Sequence, residues 1–324
     1  MPHNWSYCLI GDPAAASQTL SAATPNLSGL WLWSRAFREY GKDGDIRIIW
    51  RKEDLEEWDV IHINYTPSNI QLPTIIREEL GDSSSTKLIM NVDLDISYHG
   101  INWAYWTPIM IKELKMADAL FHVESVGARY IKEMIDHKKH VHTLPHPVDV
   151  SRLHDFKRVE RENFIACIFH RYHPDTITPY IATKDLPLRK HLYNYDDKAG
   201  KFAASQGCWD MIIRSTTPMD YINQINKALI GCDLYRGYTF GRTVIEFVAL
   251  GIPAVCSNTI EAGRYLLPET CVEPLNVKSA KEKLNLLLDN EFASDILIYA
   301  HERCGWYGLE QRHQEMIKIL ETIK

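Results

Sequence analysis

The stretch "YRGYTFGRTVIEFVALGIPAV", residues 235–255, carries one acid, Glu246, inside an otherwise apolar run. Ahead of it, Phe240-Gly241-Arg242-Thr243 reads as a turn that opens a helix. The first amides of a helix have no acceptor within it, and the helix dipole adds positive character there. A helix starting at Gly241, Arg242 and Thr243 would therefore attract an anion such as a phosphate. Arg242 would add a cation and Thr243 a hydroxyl. Glu246 lies three residues beyond Thr243, so it also fits a capping box in which the carboxylate merely closes the helix start. Elsewhere, Asp93-x-Asp95 follows an apolar strand. Paired carboxylates suit Mg²⁺ or Mn²⁺, and a solvated loop fits the same residues equally well. His140, His142 and His146, with His170 and His173, raise a zinc reading. A closed zinc site needs three or four ligands brought together, and no metal is expected. Among the tryptophans, helical spacing puts Trp33 in a core, while Trp103 and Trp106 beside a loop offer flat faces on which a sugar could pack. Neither G-x-S-x-G nor G-x-G-x-x-G occurs.

These residues need elements to hold them. Short apolar runs alternate with longer amphipathic segments, the pattern of α/β layers. Strands are expected at 7–11, 45–50, 59–65, 87–93, "ALFHVES", "HVHTLPHPVD", 163–170, 209–216 and "IPAVCS". Helices are expected at 27–41, with Leu30, Trp33, Phe37 and Tyr40 as its apolar stripe, and at "LPTIIREELG", "TPIMIKELKMAD" and "VGARYIKEMID". Further helices are expected at "MDYINQINKALIGC", at Arg242 to Leu250, at "SAKEKLNLLLDN" and in the final "HERCGWYGLEQRHQEMIKILETIK". Residues 171–208 show no clear element. Pro145 and Pro147 punctuate the chain where a first domain would close. The division read from this is 1–147, 148–300 and a closing helix at 301–324. Two successive βαβ domains of this kind place a ligand at the carboxyl ends of their strands.

The bulk numbers set the class. At 324 residues the chain fits two ordinary domains. It holds 36 Lys and Arg against 42 Asp and Glu, a formal charge of −6, which argues against a protein held mainly by nucleic-acid phosphates. Its seven cysteines are scattered with no Cys-x-x-Cys, reading as reduced thiols in a cytoplasmic protein. The start lacks a signal-peptide pattern, and no apolar run is long enough to span a bilayer. Peripheral contact with a membrane surface stays open.

The run from Asp233 to Pro268 resembles the donor-binding segment of retaining glycosyltransferases of the GT-B fold, the "glycosyl transferases group 1" type. The residues that carry the likeness are Asp233, Phe240-Gly241, Glu246, Ala249, Gly251, Pro253 and Val255, in matching order and spacing. The resemblance implies a GT-B architecture: two Rossmann-like domains facing across a cleft, an acceptor-side N-terminal domain, a nucleotide-sugar-binding C-terminal domain, and a final helix crossing back to the first. It implies that Glu246 binds donor ribose hydroxyls and that the amides of Gly241, Arg242 and Thr243 hold the diphosphate. Ser28 and Gly29, in "TPNLSGLWLW", match the loop that approaches the donor phosphates. Arg171 matches an arginine set against the diphosphate. The lysine that usually follows is Thr176 here, which leaves Lys184 or Arg214 to take its place. Tyr238 stands where the family has the first glutamate of its pair, eight positions before the second, and Thr239 replaces a glycine. Tyr238 can hydrogen-bond a sugar or stack on it but carries no charge at neutral pH.

The resemblance thus implies transfer of a sugar from a nucleotide sugar (UDP-, GDP-, ADP- or dTDP-linked) to an acceptor hydroxyl with retention. No bound cofactor is implied. Asp93, Arg171 and Tyr238 are the catalytic candidates. Phe240 and Arg214 join the donor residues, and Asp95, His99, Trp103 and Trp106 face the acceptor, which would be a glycan, a lipid-linked sugar or a small molecule. Three alternatives stand beside it: a GT-B-like binding or scaffold protein that has lost catalysis, a glycosyltransferase acting on a hydroxymethylated nucleic-acid base, and a metal-dependent GT-A enzyme using Asp93-x-Asp95.

Overall fold

The computed structural model describes residues 4–10, 27, 29–47, 50–66, 69–81, 83–92, 107–135, 140–156, 159–170, 175–194, 205, 207–214 and 217–323. The chain divides into two compact units, Met1–Val148 with Tyr307–Lys324, and Asp149–Trp306. Among the described residues no helix is long and apolar enough to cross a membrane.

The first unit runs β1 (Ser6–Ile10), α1 (Leu32–Tyr40), β2 (Asp43–Arg47), α2 (Lys52–Glu56), β3 (Val60–Asn64), α3 (Leu72–Leu80), β4 (Lys87–Val92), α4 (Thr107–Leu114), β5 (Ala119–His122), α5 (Ser125–Met134) and β6 (His140–Thr143). Its six strands pair in parallel in the order β2-β1-β3-β4-β5-β6. Successive strand side chains point to opposite faces, and this sheet buries both. Cys8, Ile10, Ile61, Ile63, Leu88 and Met90 pack with Leu55, Ile76, Leu114 and Ile131 on one side. Tyr7, Leu9, Val60, Ile89 and Phe121 pack with Trp33, Phe37, Met316 and Leu320 on the other. The last helix of the chain, Leu309–Thr322, therefore covers this sheet. A parallel sheet covered on both faces reads as near-continuous apolar strands, which is why these runs stand out in the sequence.

The second unit runs α6 (Val150–Phe156), β7 (Glu162–Ile168), α7 (Ile177–Thr183), β8 (Arg189–Asn194), β9 (Met211–Arg214), α8 (Pro218–Ile225), β10 (Ala228–Asp233), α9 (Arg242–Ala249), β11 (Ala254–Ser257), α10 (Glu261–Leu266), β12 (Cys271–Val272), α11 (Val277–Leu286) and α12 (Asn290–Cys304). Its strands also pair in parallel, in the order β12-β11-β10-β7-β8-β9.

Several expectations are corrected. The helix expected over "MDYINQINKALIGC" ends at Ile225, and Ala228–Asp233 is a central strand between β7 and β11. A strand buried on both faces has no alternation to betray it, so its apolar run extended the helix pattern. Asp233 accordingly ends a strand and does not close a helix. The first helix starts at Leu32 and not at 27, and Tyr40 is 45% exposed, so the buried stripe is Leu30, Trp33 and Phe37. The strand expected at 45–50 falls at Asp43–Arg47. α2, α7, β8 and most of α12 lie where no element was expected.

Candidate functional site

β10 delivers the chain to the carboxyl edge of the second sheet at Asp233, and residues 234–241 turn it into α9. Gly241 caps that helix at φ 88°, ψ 48°, in the left-handed region that favours glycine. A Cβ there would also stand 2.3 Å from Ile260 Cγ2. The turn is held from one side: the amides of Glu261 and Ala262 donate to the carbonyls of Thr239 and Phe240, both at 2.9 Å. Thr239 N–H donates to the Thr259 carbonyl at 3.3 Å, and the Thr259 hydroxyl donates to the Tyr235 carbonyl at 2.7 Å. The helical ladder begins with Ile245 N–H donating to Gly241 O at 3.2 Å. The amides of Gly241, Arg242 and Thr243 precede that ladder, at the positive end of the helix dipole.

Glu246 sits on the buried face of α9, 3% exposed. Arg242 Nε lies 3.6 Å from its Oε1, one helical turn back, with the arginine half in solvent. The capping-box reading does not hold. The N-cap is Gly241, so Thr243 is the second helical residue and Glu246 the fifth, beyond the reach of a cap. A buried carboxylate needs a counter-charge or donors, and Arg242 supplies the former. The other end of α9 is fixed by Arg161, whose guanidinium donates to the carbonyls of Leu250 and Asn226 at the ends of α9 and α8. Cations are favoured at helix carboxyl ends. α9 also lies close over β10, because Gly231 leaves room for the Phe247 ring, which a Cβ would approach to 2.6 Å.

A second cluster joins residues far apart in the sequence. His170, just after β7, donates from Nε2 to Asp233 Oδ1 at 2.6 Å, and its ring stacks on Tyr235 with centroids 4.1 Å apart. Asp233 is 1% exposed. Arg236 Nε lies 3.8 Å from Asp175 Oδ2 in the next stretch of chain. His170 and Asp233 are 63 positions apart in sequence and meet only because β7 and β10 are neighbours. In the sequence their contact is signalled only by a histidine and an aspartate each directly following an apolar run.

Phe240 is buried and Tyr238 is 36% exposed on the turn. Arg214 ends β9, three strands from β10 on the same edge, and is exposed. Lys184 is an exposed residue closing α7. Gly29 belongs to the first unit, at φ 105°, and its N–H donates to the Pro147 carbonyl at 3.0 Å. Ser28, Asp93, Asp95, His99, Trp103, Trp106 and Arg171 lie outside the described residues. His140 and His142 stack with ring centroids 5.9 Å apart, and among the described residues no group of three or more His, Cys, Asp or Glu could hold a metal ion.

No known protein family matches the chain, and no curated protein sequence does. Solved structures do. Sucrose-phosphate synthase from Thermosynechococcus elongatus matches with a TM-score of 0.70 at 13% identity, over 98% of this chain and 98% of that one. α,α-Trehalose 6-phosphate synthase from Burkholderia multivorans matches at 0.65 and 10% identity, over 84% of this chain and 73% of that one. An E. coli trehalose-6-phosphate protein bound with UDP-2-fluoro glucose matches at 0.59 and 10% identity, over 84% and 76%. At these identities the likeness is one of fold, and the fold is the GT-B type of α/β architecture, built on two parallel six-stranded sheets.

Proposed function

We propose that this chain is a glycosyltransferase that moves a sugar from a nucleotide-sugar donor to an acceptor hydroxyl with retention. The observation that carries the reading is the start of α9, where a left-handed glycine cap and the first-turn amides are followed one turn later by a buried glutamate paired with an arginine. The solved structures of similar fold support it, since two are named as sugar-phosphate synthases and a third is bound with a UDP sugar. In this reading the amides of Gly241, Arg242 and Thr243 receive the diphosphate. Fixed donors aimed at developing charge lower the barrier to its departure. Arg242 and Arg171 add positive charge, and Glu246 accepts hydrogen bonds from the ribose. Tyr238, exposed on the turn, contacts the donor sugar in place of a carboxylate. The nucleotide sugar is a co-substrate, and no resident cofactor enters the scheme.

A thermal-shift panel of UDP, GDP, ADP and dTDP and their sugars tests this, because a ligand that binds only the native state raises its stability by mass action. One nucleotide series should raise the melting temperature. No shift with any of them at several millimolar would overturn the proposal. Binding without donor hydrolysis or transfer would favour the scaffold reading, which the replacement of a glutamate by Tyr238 motivates.

A further inference from the structure

The second sheet holds two pairs of cysteines in register on neighbouring strands. Cys167 and Cys232 face each other across β7 and β10, both fully buried at the centre of the sheet. Cys256 and Cys271 face each other across β11 and β12, with their sulfurs 3.9 Å apart. The second pair is built differently. β12 is a two-residue strand at the sheet edge, and Cys271 is only partly buried while Cys256 is wholly so. A cysteine only partly buried beside a wholly buried one is the arrangement in which an oxidant meets one thiol and a neighbour resolves the product.

We propose that Cys256 and Cys271 form a modification site, a dithiol that a peroxide closes to a disulfide. Cys271 is the attacking sulfur. The hydrogen bond from the Cys256 thiol, with Arg264 nearby, lowers the pKa of Cys271. The same bond and burial push Cys256 well up, so it remains the proton-bearing partner. In the first step the Cys271 thiolate attacks one peroxide oxygen, the O–O bond breaks, and the departing hydroxide takes a proton to become water. Cys271 is then a sulfenic acid. Cys256 sulfur attacks it, the S–S bond forms, the S–O bond breaks, and a second water leaves with the Cys256 proton. Two thiols lose two electrons and hydrogen peroxide gains them.

The bond has a mechanical consequence. Cys256 Sγ now seats against Gly263 of α10, where a Cβ would come within 2.4 Å of it. A disulfide requires a sulfur separation of about 2.05 Å, so closure draws that sulfur towards β12 and out from under α10. α10 and the residue before it hold the α9 turn: Glu261 and Ala262 bond Thr239 and Phe240, and Ile260 fills the space beside Gly241. The cross-link therefore loosens the turn on which the proposed diphosphate site stands. The dithiol itself does not depend on that reading of function.

The test uses the full chain, reduced and then treated with hydrogen peroxide at neutral pH. Of seven thiols two should disappear on titration in denaturant, with a mass loss of about 2 Da and a Cys256–Cys271 peptide on mapping. Cys271→Ser, at a partly exposed edge position, should keep all its remaining thiols. Cys256→Ala should stop at a sulfenic acid that dimedone traps on Cys271. Amide exchange at residues 239–243 should quicken in the oxidised form. An unchanged thiol count, or loss that maps to Cys167–Cys232 or between chains, overturns the proposal. Unchanged exchange over 239–243 overturns the coupling to the turn.

Discussion

Each unit buries a polar cluster against its parallel sheet, and these two clusters are built differently. Around His62 the first unit uses neutral partners. The Tyr7 hydroxyl meets His62 Nδ1 at 2.6 Å, Trp33 Nε1 donates to His146 Nδ1 at 3.1 Å, and the Asn91 amide donates to Asn64 Oδ1 at 3.1 Å. The second unit uses carboxylates: Asp233 against His170, and Glu246 against Arg242. Neutral pairs cost little to desolvate and hold a core in one arrangement, whereas a buried carboxylate is retained at a cost unless its surroundings compensate it. Two parallel six-stranded sheets of different strand order thus carry a neutral polar cluster around His62 in one unit and the buried carboxylates Asp233 and Glu246 in the other.

Acid is the strongest way to break the comparison. Burial, and secondarily the neighbouring His146, pull His62 down to about 3, so it stays neutral in the folded chain. The unfolded chain takes up a proton near 6.5 and the folded one does not. Stability from this group is therefore complete above about pH 6.5 and is lost as pH falls towards 3, at about 1.4 kcal/mol per pH unit. Burial depresses His313, beside Phe37, to about 4 in the same sense. Between pH 6.5 and 4 His62 alone should cost on the order of 3 kcal/mol. Denaturant midpoints of the wild type and of His62→Gln across that range measure it. The variant should show the shallower slope, and parallel slopes would mean that the histidine is not held neutral.

Gly241→Ala addresses the other side. A methyl group at φ 88°, 2.3 Å from Ile260, combines left-handed strain with overpacking. The expected loss is about 2–3 kcal/mol. Nucleotide-induced stabilisation should vanish with it, read on the variant at a temperature where it is still folded. If nucleotides stabilise the variant as they do the parent, the helix start is not the diphosphate site.

How much of this site could be read from the chain depends on its distance along the sequence. Phe240, Gly241 and Glu246 lie within seven positions, so a turn, a helix start and an isolated acid were visible together. Which residue caps the helix was not, because Thr243 and Gly241 both suit the role and only the backbone sign at Gly241 decides between them. The strand β10 was hidden by its own burial. Its Gly231 looks like a breaker in a helix, yet in place it is the gap into which Phe247 fits. The His170–Asp233 contact could not be read at all, since it exists only through the adjacency of β7 and β10. Local chemistry was legible, and pairings made by sheet order were not.

Glu246→Gln separates two jobs of one side chain. The amide keeps the shape but gives up the charge opposite Arg242 and offers one acceptor oxygen where the carboxylate has two. Loss of a charge-assisted hydrogen bond costs about 1.5–3 kcal/mol, so calorimetry with the stabilising nucleoside diphosphate should show affinity lower by at least tenfold. Lower stability with unchanged affinity would return Glu246 to a purely structural role.

The smallest effect concerns Tyr238, and it is the one that discriminates best. The side chain is 36% exposed and stands on a turn held by backbone bonds from α10, so Tyr238→Phe should change stability by less than about 0.5 kcal/mol. If its hydroxyl meets the donor sugar, removing it leaves every nucleotide contact intact. Affinity for the nucleoside diphosphate should then stay within about twofold, while affinity for the matching nucleotide sugar falls by roughly three- to tenfold, the worth of one net hydrogen bond. Equal losses for both ligands would place Tyr238 at the nucleotide, and no loss for either would leave it as a surface residue of the turn. The proposed site at the start of α9 would then bind the nucleotide alone, and the sugar contact would have to come from other residues.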